Sequence, residues 1–218
     1  EPFVKWIEWL SNYYIYPIGR VAQLAYPPLR KQEKPRKSNR SPVIPSEQIE
    51  SPPLMTEEQA RCVNAISQFK NFSSHLVFGV TGSGKTEIYL RLLEKVLNEG
   101  KSGVVLVPEI SLTPQLIQRF ARRFGDKIAA IHSQLTDRER TNQWWDLIEG
   151  RKSILIGARS ALFCPLPNVG MIIVDEEHEP SYKQDEKLKY HGRDAAVMLA
   201  KFIDCPIVLG SATPSLET

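Results

Sequence analysis

The sequence predicts an α/β fold, a parallel sheet covered by helices on both faces, preceded by a short helical segment and a linker. Three observations carry this expectation. From Leu54 onward, short apolar runs rich in Val, Ile and Leu alternate with longer segments of helical period, the pattern of strands buried on both faces between crossover helices. One run, LVFGV at 76–80, leads through a glycine-rich turn directly into a helical segment. Ahead of Leu54 the composition differs, with nine of the 16 prolines in the first 53 residues and seven aromatic residues by Tyr26.

In that head, Phe3, Trp6, Ile7, Leu10 and Tyr14 recur at helical spacing until Pro17 ends the helix. A second short helix fits Ile18 to Tyr26, with Val21, Ala22, Leu24 and Ala25 apolar before Pro27 and Pro28. Two short amphipathic helices bury little alone and need a partner surface. Residues 30–40 then carry six basic side chains against Glu33, and Pro and Ser continue to Pro53. We expect an extended or disordered linker over 30–53. It reads either as a solvated spacer or as a contact to a phosphate backbone, where clustered Lys and Arg gain by releasing counterions. Beyond it, strands are expected at 76–80, 104–108, 127–131, 153–157, 170–175 and 206–210, and helices at 57–69, 85–98, 114–124, 136–148 and 193–203.

At 42% hydrophobic and 24% charged, the 218 residues exclude collagen-like, wholly disordered and disulfide-scaffold classes. The longest apolar runs fall far short of the ~20 residues that span a bilayer, so no membrane partner is expected. The start lacks a basic region followed by an apolar core, the signature of a signal peptide. It also lacks Met, and the chain stops soon after a recognisable motif, so we expect a piece of a longer protein. Cys62, Cys164 and Cys205 are odd in number and form no Cys-x-x-Cys pair, which points to buried thiols in a reducing compartment. A net charge of +3 is too small to name a partner.

The turn Gly79-Val80-Thr81-Gly82-Ser83-Gly84-Lys85-Thr86 matches G-x-x-x-x-G-K-[ST], with an apolar run before it and an amphipathic segment ended by Gly100 after it. Glycines let backbone N–H groups curl around a β-phosphate, where a helix N-terminus adds positive partial charge. Lys85 should reach the β- and γ-phosphates and the Thr86 hydroxyl should ligate Mg²⁺. Gln59, four residues into Thr56-Glu57-Glu58-Gln59, has two compatible readings: it closes a capping box on its own helix start, or it reads the adenine of a bound nucleotide.

The run MIIV at 171–174 ends in Asp175-Glu176-Glu177-His178. Three acids at the tip of a buried strand need a reason, because uncompensated burial of charge is costly. At the carboxyl edge of a parallel sheet they face the crevice where ligands bind. Asp175 would hold the Mg²⁺ shell, Glu176 would orient and deprotonate an attacking water, and His178 suits a relay between nucleotide and a second ligand.

Further segments narrow the choice among P-loop enzymes. LVPEISLTPQ (106–115), AAIHSQLTDRER (129–140), GARSALF (157–163), DEEH and GSATPS (210–215) together resemble the ordered motifs of superfamily 2 helicases, which implies a RecA-like P-loop lobe over 54–218. GVTGSGKTE, VPEISLTPQ, IHSQLTDRER, ARSALF, VDEEHEPSYKQDEKLKYHGRD and LGSATPSLET in this order resemble the primosomal protein N′ (PriA) family of replication-restart helicases. WLSNYYIYPIGRVAQLAYPPL resembles, more loosely, the end of that family's N-terminal DNA-binding domain, so 1–29 would be its helical tail. The resemblance implies an ATP- and Mg-dependent 3′→5′ DNA helicase, cytoplasmic in a bacterium and monomeric. Its partners would be single-stranded and forked DNA, primosome proteins and the single-stranded DNA-binding protein. Glu109, Thr113, His132, Arg159 and Ser160 would lie along DNA, and Ser211, Ala212 and Thr213 would link hydrolysis to lobe movement. Residues 179–193 resemble the family's aromatic-rich loop. There Tyr182 and Tyr190 offer stacking faces, and Lys183, Lys187, Lys189, His191 and Arg193 offer positive charge.

Two parts of the family pattern are missing. Residues 30–53 are too short for the winged-helix domain the family usually carries there. The second lobe is absent, with its arginine finger and the zinc-binding cysteines that are the only expected zinc site. The competing class is a binding module, a non-motor ATP-responsive DNA-binding or primosome scaffold. Intact Lys85, Thr86, Asp175 and Glu176 favour the enzyme, because a scaffold needs no water-activating acid. A P-loop kinase would not call for the Ser-Ala-Thr motif or the Tyr/Lys loop.

Overall fold

The computed structural model describes residues 1–29 and 53–216, so the linker reading of 30–53 lies, but for Pro53, outside the described residues. Six strands, β1 (Ser74–Phe78), β2 (Ser102–Leu106), β3 (Ile128–Ile131), β4 (Ile154–Gly157), β5 (Val169–Val174) and β6 (Ile207–Ser211), form one sheet in the order β1-β6-β5-β2-β4-β3. Every pairing is parallel. The order makes β1, β6 and β5 neighbours running the same way, so the loops leaving their carboxyl ends share one rim of the sheet.

Successive strand residues point to opposite faces, and both faces are covered. Val104, Leu106, Ile172, Val174, Ile207 and Leu209 pack with residues of α1 (Pro2–Tyr13), α6 (Asp137–Ile148) and α7 (Gly192–Ile203). Val105, Ile154, Ile156, Ile173 and Val208 face α3 (Glu57–Ser67), α4 (Lys85–Asn98) and α5 (Pro114–Phe124). This explains why the strands read as continuous apolar runs instead of alternating ones.

Helix starts follow local chemistry. Thr56 and Gln59 form a reciprocal capping box at α3, and Thr136 and Glu139 do so at α6. Thr113 caps α5 by accepting from the Leu116 N–H at 3.3 Å, with Pro114 at the first helical position. The second head helix, α2 (Ile18–Gln23), is shorter than its apolar pattern suggested: Ala25 and Tyr26 donate three residues back, to Ala22 and Gln23, as the chain tightens before Pro27. Strand β1 also departs from expectation. It is an edge strand, leaving Leu76 and Phe78 exposed, and it ends before Gly79.

The partner surface that α1 and α2 need is the lobe itself. Trp6, Leu10 and Val21 are wholly buried in the cluster formed by α7 and the sheet. The Trp6 indole donates to the Ala195 carbonyl at 2.9 Å, and its ring lies 5.3 Å from that of Phe163. The Trp144 indole of α6 donates to the Ala25 carbonyl at 3.2 Å, and the Leu29 N–H donates to the Thr141 hydroxyl at 3.2 Å. Among the described residues, no helix is long and apolar enough to cross a membrane.

Candidate functional site

The turn after β1 is shaped by glycines where side chains would not fit. Gly82 and Gly84 have φ of +83° and +86°, the left-handed region that costs an L-residue energy. A Cβ at Gly79 would lie 2.7 Å from the Ser83 hydroxyl. Gly84 is the N-cap of α4, so the positive end of that helix opens at the turn, and Thr81, Gly82 and Ser83 are exposed around it. Thr86 is half-buried in the first turn. Gln59 satisfies its capping role, with Oε1 accepting from the Thr56 N–H at 3.0 Å. Its amide nitrogen also sits beside Gly84, where a Cβ would collide with it. The capping residue therefore lies against the phosphate turn.

Lys85 is buried; its ammonium donates to the Gly79 carbonyl at 2.8 Å and lies 3.4 Å from Glu176 Oε1. The turn and the acidic strand tip thus converge from two strands separated by β6. The strand between them completes the ring. Gly79 N–H donates to the Ser211 carbonyl at 3.1 Å, Ser211 Oγ is 2.6 Å from His178 Nδ1, and that nitrogen lies 3.7 Å from Glu176 Oε2. Glu176 takes a left-handed φ of +44°, so the chain turns sharply at the carboxylate.

Asp175 is gripped at both ends. The Tyr89 hydroxyl donates to its Oδ1 at 2.8 Å and the Tyr182 hydroxyl donates to its backbone carbonyl at 2.7 Å. Burial pushes the Asp175 carboxyl above the ordinary carboxylate range, the charge of Glu176 adds to this, and the Tyr89 hydrogen bond opposes it. Among the described residues, no cluster of three or more His, Cys, Asp or Glu could hold a metal alone. Magnesium does not require one, since it takes hard oxygen donors from one or two protein groups and completes its shell with phosphate and water. A hydroxyl at Thr86 and a carboxylate whose charge burial disfavours fit that donor set.

Glu177 does not join the crevice, contrary to the reading of three acids facing it. It is fully buried, accepts from Arg193 Nη1 at 3.0 Å and from the Ser215 N–H at 3.0 Å, and its own N–H donates to Gly210 at 3.0 Å. It ties the strand tip to the Ser-Ala-Thr segment. Arg193, read as a positive charge on the loop, is correspondingly buried.

The loop over 179–193 corrects a second expectation. Tyr182 and Tyr190 are 1% and 5% exposed, so neither ring offers a face for stacking. Tyr182 reaches Asp175, and the Tyr190 ring meets Phe163 edge-on at 5.5 Å. A buried Tyr is an apolar body with a polar tip, and both are used inward here. Leu188 is buried with them, while Lys183, Lys187 and Lys189 stay exposed. Arg159 is turned toward the same loop: its guanidinium donates to the Ser181 carbonyl, to Gln184 and, at 3.2 Å, to the Lys183 carbonyl.

Of the remaining candidates for DNA contact or coupling, Glu109 is exposed in a 3-10 turn, Thr113 is exposed but serves α5 as its cap, and Ser160 and Thr213 are exposed. Thr213 N–H donates to Ser211 Oγ at 3.1 Å. His132 is half-buried after β3, with its pKa lowered by burial and its carbonyl accepting from Arg140 at 3.3 Å. Sequence reasoning missed Tyr89 and Gly210. The available signal was that Tyr89 stands four residues after Lys85, on the same helix face.

Comparison with known proteins gives a consistent outcome. A family model described as DEAD/DEAH box helicase matches residues 56–218. The replication restart protein PriA of Bacillus subtilis is 50% identical over 167 residues, 75% of this chain and 21% of that protein. PriA of Treponema pallidum is 41% identical over 209 residues, 96% of this chain and 31% of that protein. The chain therefore spans about a fifth to a third of the length of these relatives. Among solved structures, RecG bound to a three-way DNA junction matches 75% of this chain and 22% of its own at 20% identity, with a TM-score of 0.55. The Hef helicase domain of Pyrococcus furiosus matches 72% of this chain and 32% of its own at 22% identity, with a TM-score of 0.54. At such identities the likeness supports the RecA-like α/β fold.

Proposed function

The chain belongs to the DEAD/DEAH box helicase family, and on that premise we propose that it is the ATP-binding first lobe of an ATP-dependent 3′→5′ DNA helicase acting in replication restart at stalled or abandoned forks. The observation that carries this is the 3.4 Å approach of the Lys85 ammonium to the Glu176 carboxylate, which joins the phosphate turn to the acidic tip in one cluster. Gly79, Thr81, Gly82, Ser83, Gly84, Lys85 and Thr86 hold the phosphates, and Gln59, beside Gly84 in the cap of α3, is the residue that would also read the nucleotide's adenine. Thr86 and Asp175 would hold magnesium, which would supply charge neutralisation on the phosphates. Glu176 orients the attacking water and takes its proton. His178, between Glu176 and Ser211, senses the state of the Ser-Ala-Thr segment; its short contact with Ser211 supports this role. Lys183 and Lys189, exposed on the loop behind the tip, and Glu109, Thr113, His132, Arg159, Ser160 and Thr213 belong to the DNA-contacting and coupling surface.

Residues 1–29 are the helical tail of an N-terminal DNA-binding region and 54–218 the lobe. In the longer protein the partners are single-stranded and forked DNA, primosome proteins and the single-stranded DNA-binding protein, in the bacterial cytoplasm. A motor closes two lobes on ATP, and an arginine finger contributes about 10³–10⁵ in rate. These 218 residues alone therefore bind nucleotide, hydrolyse it barely and unwind nothing. The test is Lys85→Ala in the complete enzyme, assayed on forked DNA. Loss of ATPase and unwinding with retained fork binding is expected; retained unwinding would refute the motor reading.

A further inference from the structure

We propose that Tyr89 is a positioning residue for Asp175, its hydroxyl fixing one carboxylate oxygen so that the rest of the carboxylate is offered to a magnesium–nucleotide, and that residue 210 is glycine because that hydroxyl occupies the space of a side chain. This rests on the reading of Asp175 as the magnesium-side carboxylate. It extends that reading to a residue outside the motifs that carry the family resemblance's chemistry.

The geometry begins on α4. Lys85 and Tyr89 are one turn apart, so the same helix face sends an ammonium to Glu176 and a hydroxyl to Asp175. Tyr89 is 1% exposed, and a buried Tyr hydroxyl must find a partner; it takes Asp175 Oδ1 at 2.8 Å. The backbone of Asp175 is pinned separately, by the Tyr182 hydroxyl on its carbonyl and by its own N–H donating to Leu106 at 2.9 Å. Removing the Tyr89 hydroxyl therefore leaves the strand tip in place and takes from the carboxylate its side-chain hydrogen bond, the Glu176 backbone remaining as its other partner.

Gly210 closes the arrangement from β6. A Cβ there would collide with the Tyr89 hydroxyl, lie 2.9 Å from its Cζ and 3.2 Å from Asp175 Oδ1. Its φ is outside the left-handed region, so conformational freedom is not what calls for glycine. Close approach of a neighbouring group is. Groups that orient a metal ligand without touching the metal typically alter metal affinity about 10- to 100-fold when removed.

The test uses the 218-residue chain and a fluorescent ATP analogue titrated in EDTA and in Mg²⁺. Mn²⁺ retained per chain with ATP present, counted from the signal of the free ion, gives a second readout. Tyr89→Phe is expected to bind the analogue in EDTA within about twofold of wild type, and to lose about tenfold in the Mg²⁺-dependent gain and in Mn²⁺ retention. Gly210→Ala should do the same alone, and cost less in the Tyr89→Phe background than in wild type, because its Cβ then meets only Cζ and Asp175 Oδ1 and no longer the hydroxyl. Should Gly210→Ala fail to fold, the near-isosteric Tyr89→Phe decides alone. A full Mg²⁺ gain in Tyr89→Phe overturns the inference, and additive losses in the double variant overturn its Gly210 part. Absence of any Mg²⁺ gain in wild type instead overturns the nucleotide-site reading beneath it.

Discussion

Glu177 makes the sharpest stability prediction, because the third acid of the strand tip is a structural tether. Glu177→Ala removes the acceptor for Arg193 Nη1 at 3.0 Å, for the Ser215 N–H at 3.0 Å and for the Ser215 hydroxyl at 3.3 Å. Breaking a buried ion pair from one side costs about 3–5 kcal/mol, since the remaining charge stays buried. Arg193 keeps Asp194, whose Oδ1 accepts from Nε at 2.9 Å, so the cost should fall at the lower end, near ~3 kcal/mol. Glu177→Gln keeps one acceptor oxygen, but its NH₂ then faces a donor where the second oxygen accepted, so it loses the charge and one of the two acceptor positions. Bonds to charged groups exceed neutral ones by about 1–1.5 kcal/mol, which sets the least it costs. Equilibrium urea unfolding followed by tryptophan fluorescence measures both, and Glu177→Leu combined with Arg193→Met should cost less than Glu177→Ala, because no charge is then stranded. A loss under about 1 kcal/mol for Glu177→Ala would refute the tether.

Two further outcomes follow from the packing. Trp6→Ala should lower stability by about 3–5 kcal/mol through the cavity left between α7 and Phe163, and the melting temperature by about 10 °C; a change under 1 kcal/mol would mean that the head is not part of the core. Burial pushes the Cys164 and Cys205 thiols up to about 12, so their thiolate fraction is negligible until the pH approaches that range. Alkylation of the folded chain at pH 8, read by mass spectrometry, should modify the half-buried Cys62 alone and reach the other two only after unfolding.

The elements were legible where they rest on local rules. Two-face burial makes continuous apolar strands, a capping threonine or a glycine in the left-handed region starts and stops helices, and five helix expectations land within two residues of the observed ends. The phosphate turn was legible because its glycines are required by its own backbone. Edge placement of β1 was not, since an edge strand and a central one can share the same Val, Leu and Phe.

What the sequence determined by itself is therefore the set of pieces: six strands, the helices between them, a phosphate turn and an acidic tip. Tertiary structure decided their use. The strand order makes β6 the neighbour of both β1 and β5, and only that order brings Lys85 to Glu176 and Ser211 to His178. It also decided which way ambivalent side chains face. Tyr182, Tyr190, Glu177 and Arg193 carry chemistry suited to a DNA surface or to a buried network, and local sequence is the same in either case. Their partners, Asp175, Phe163 and each other, come from different elements, so the choice is made only when those elements pack.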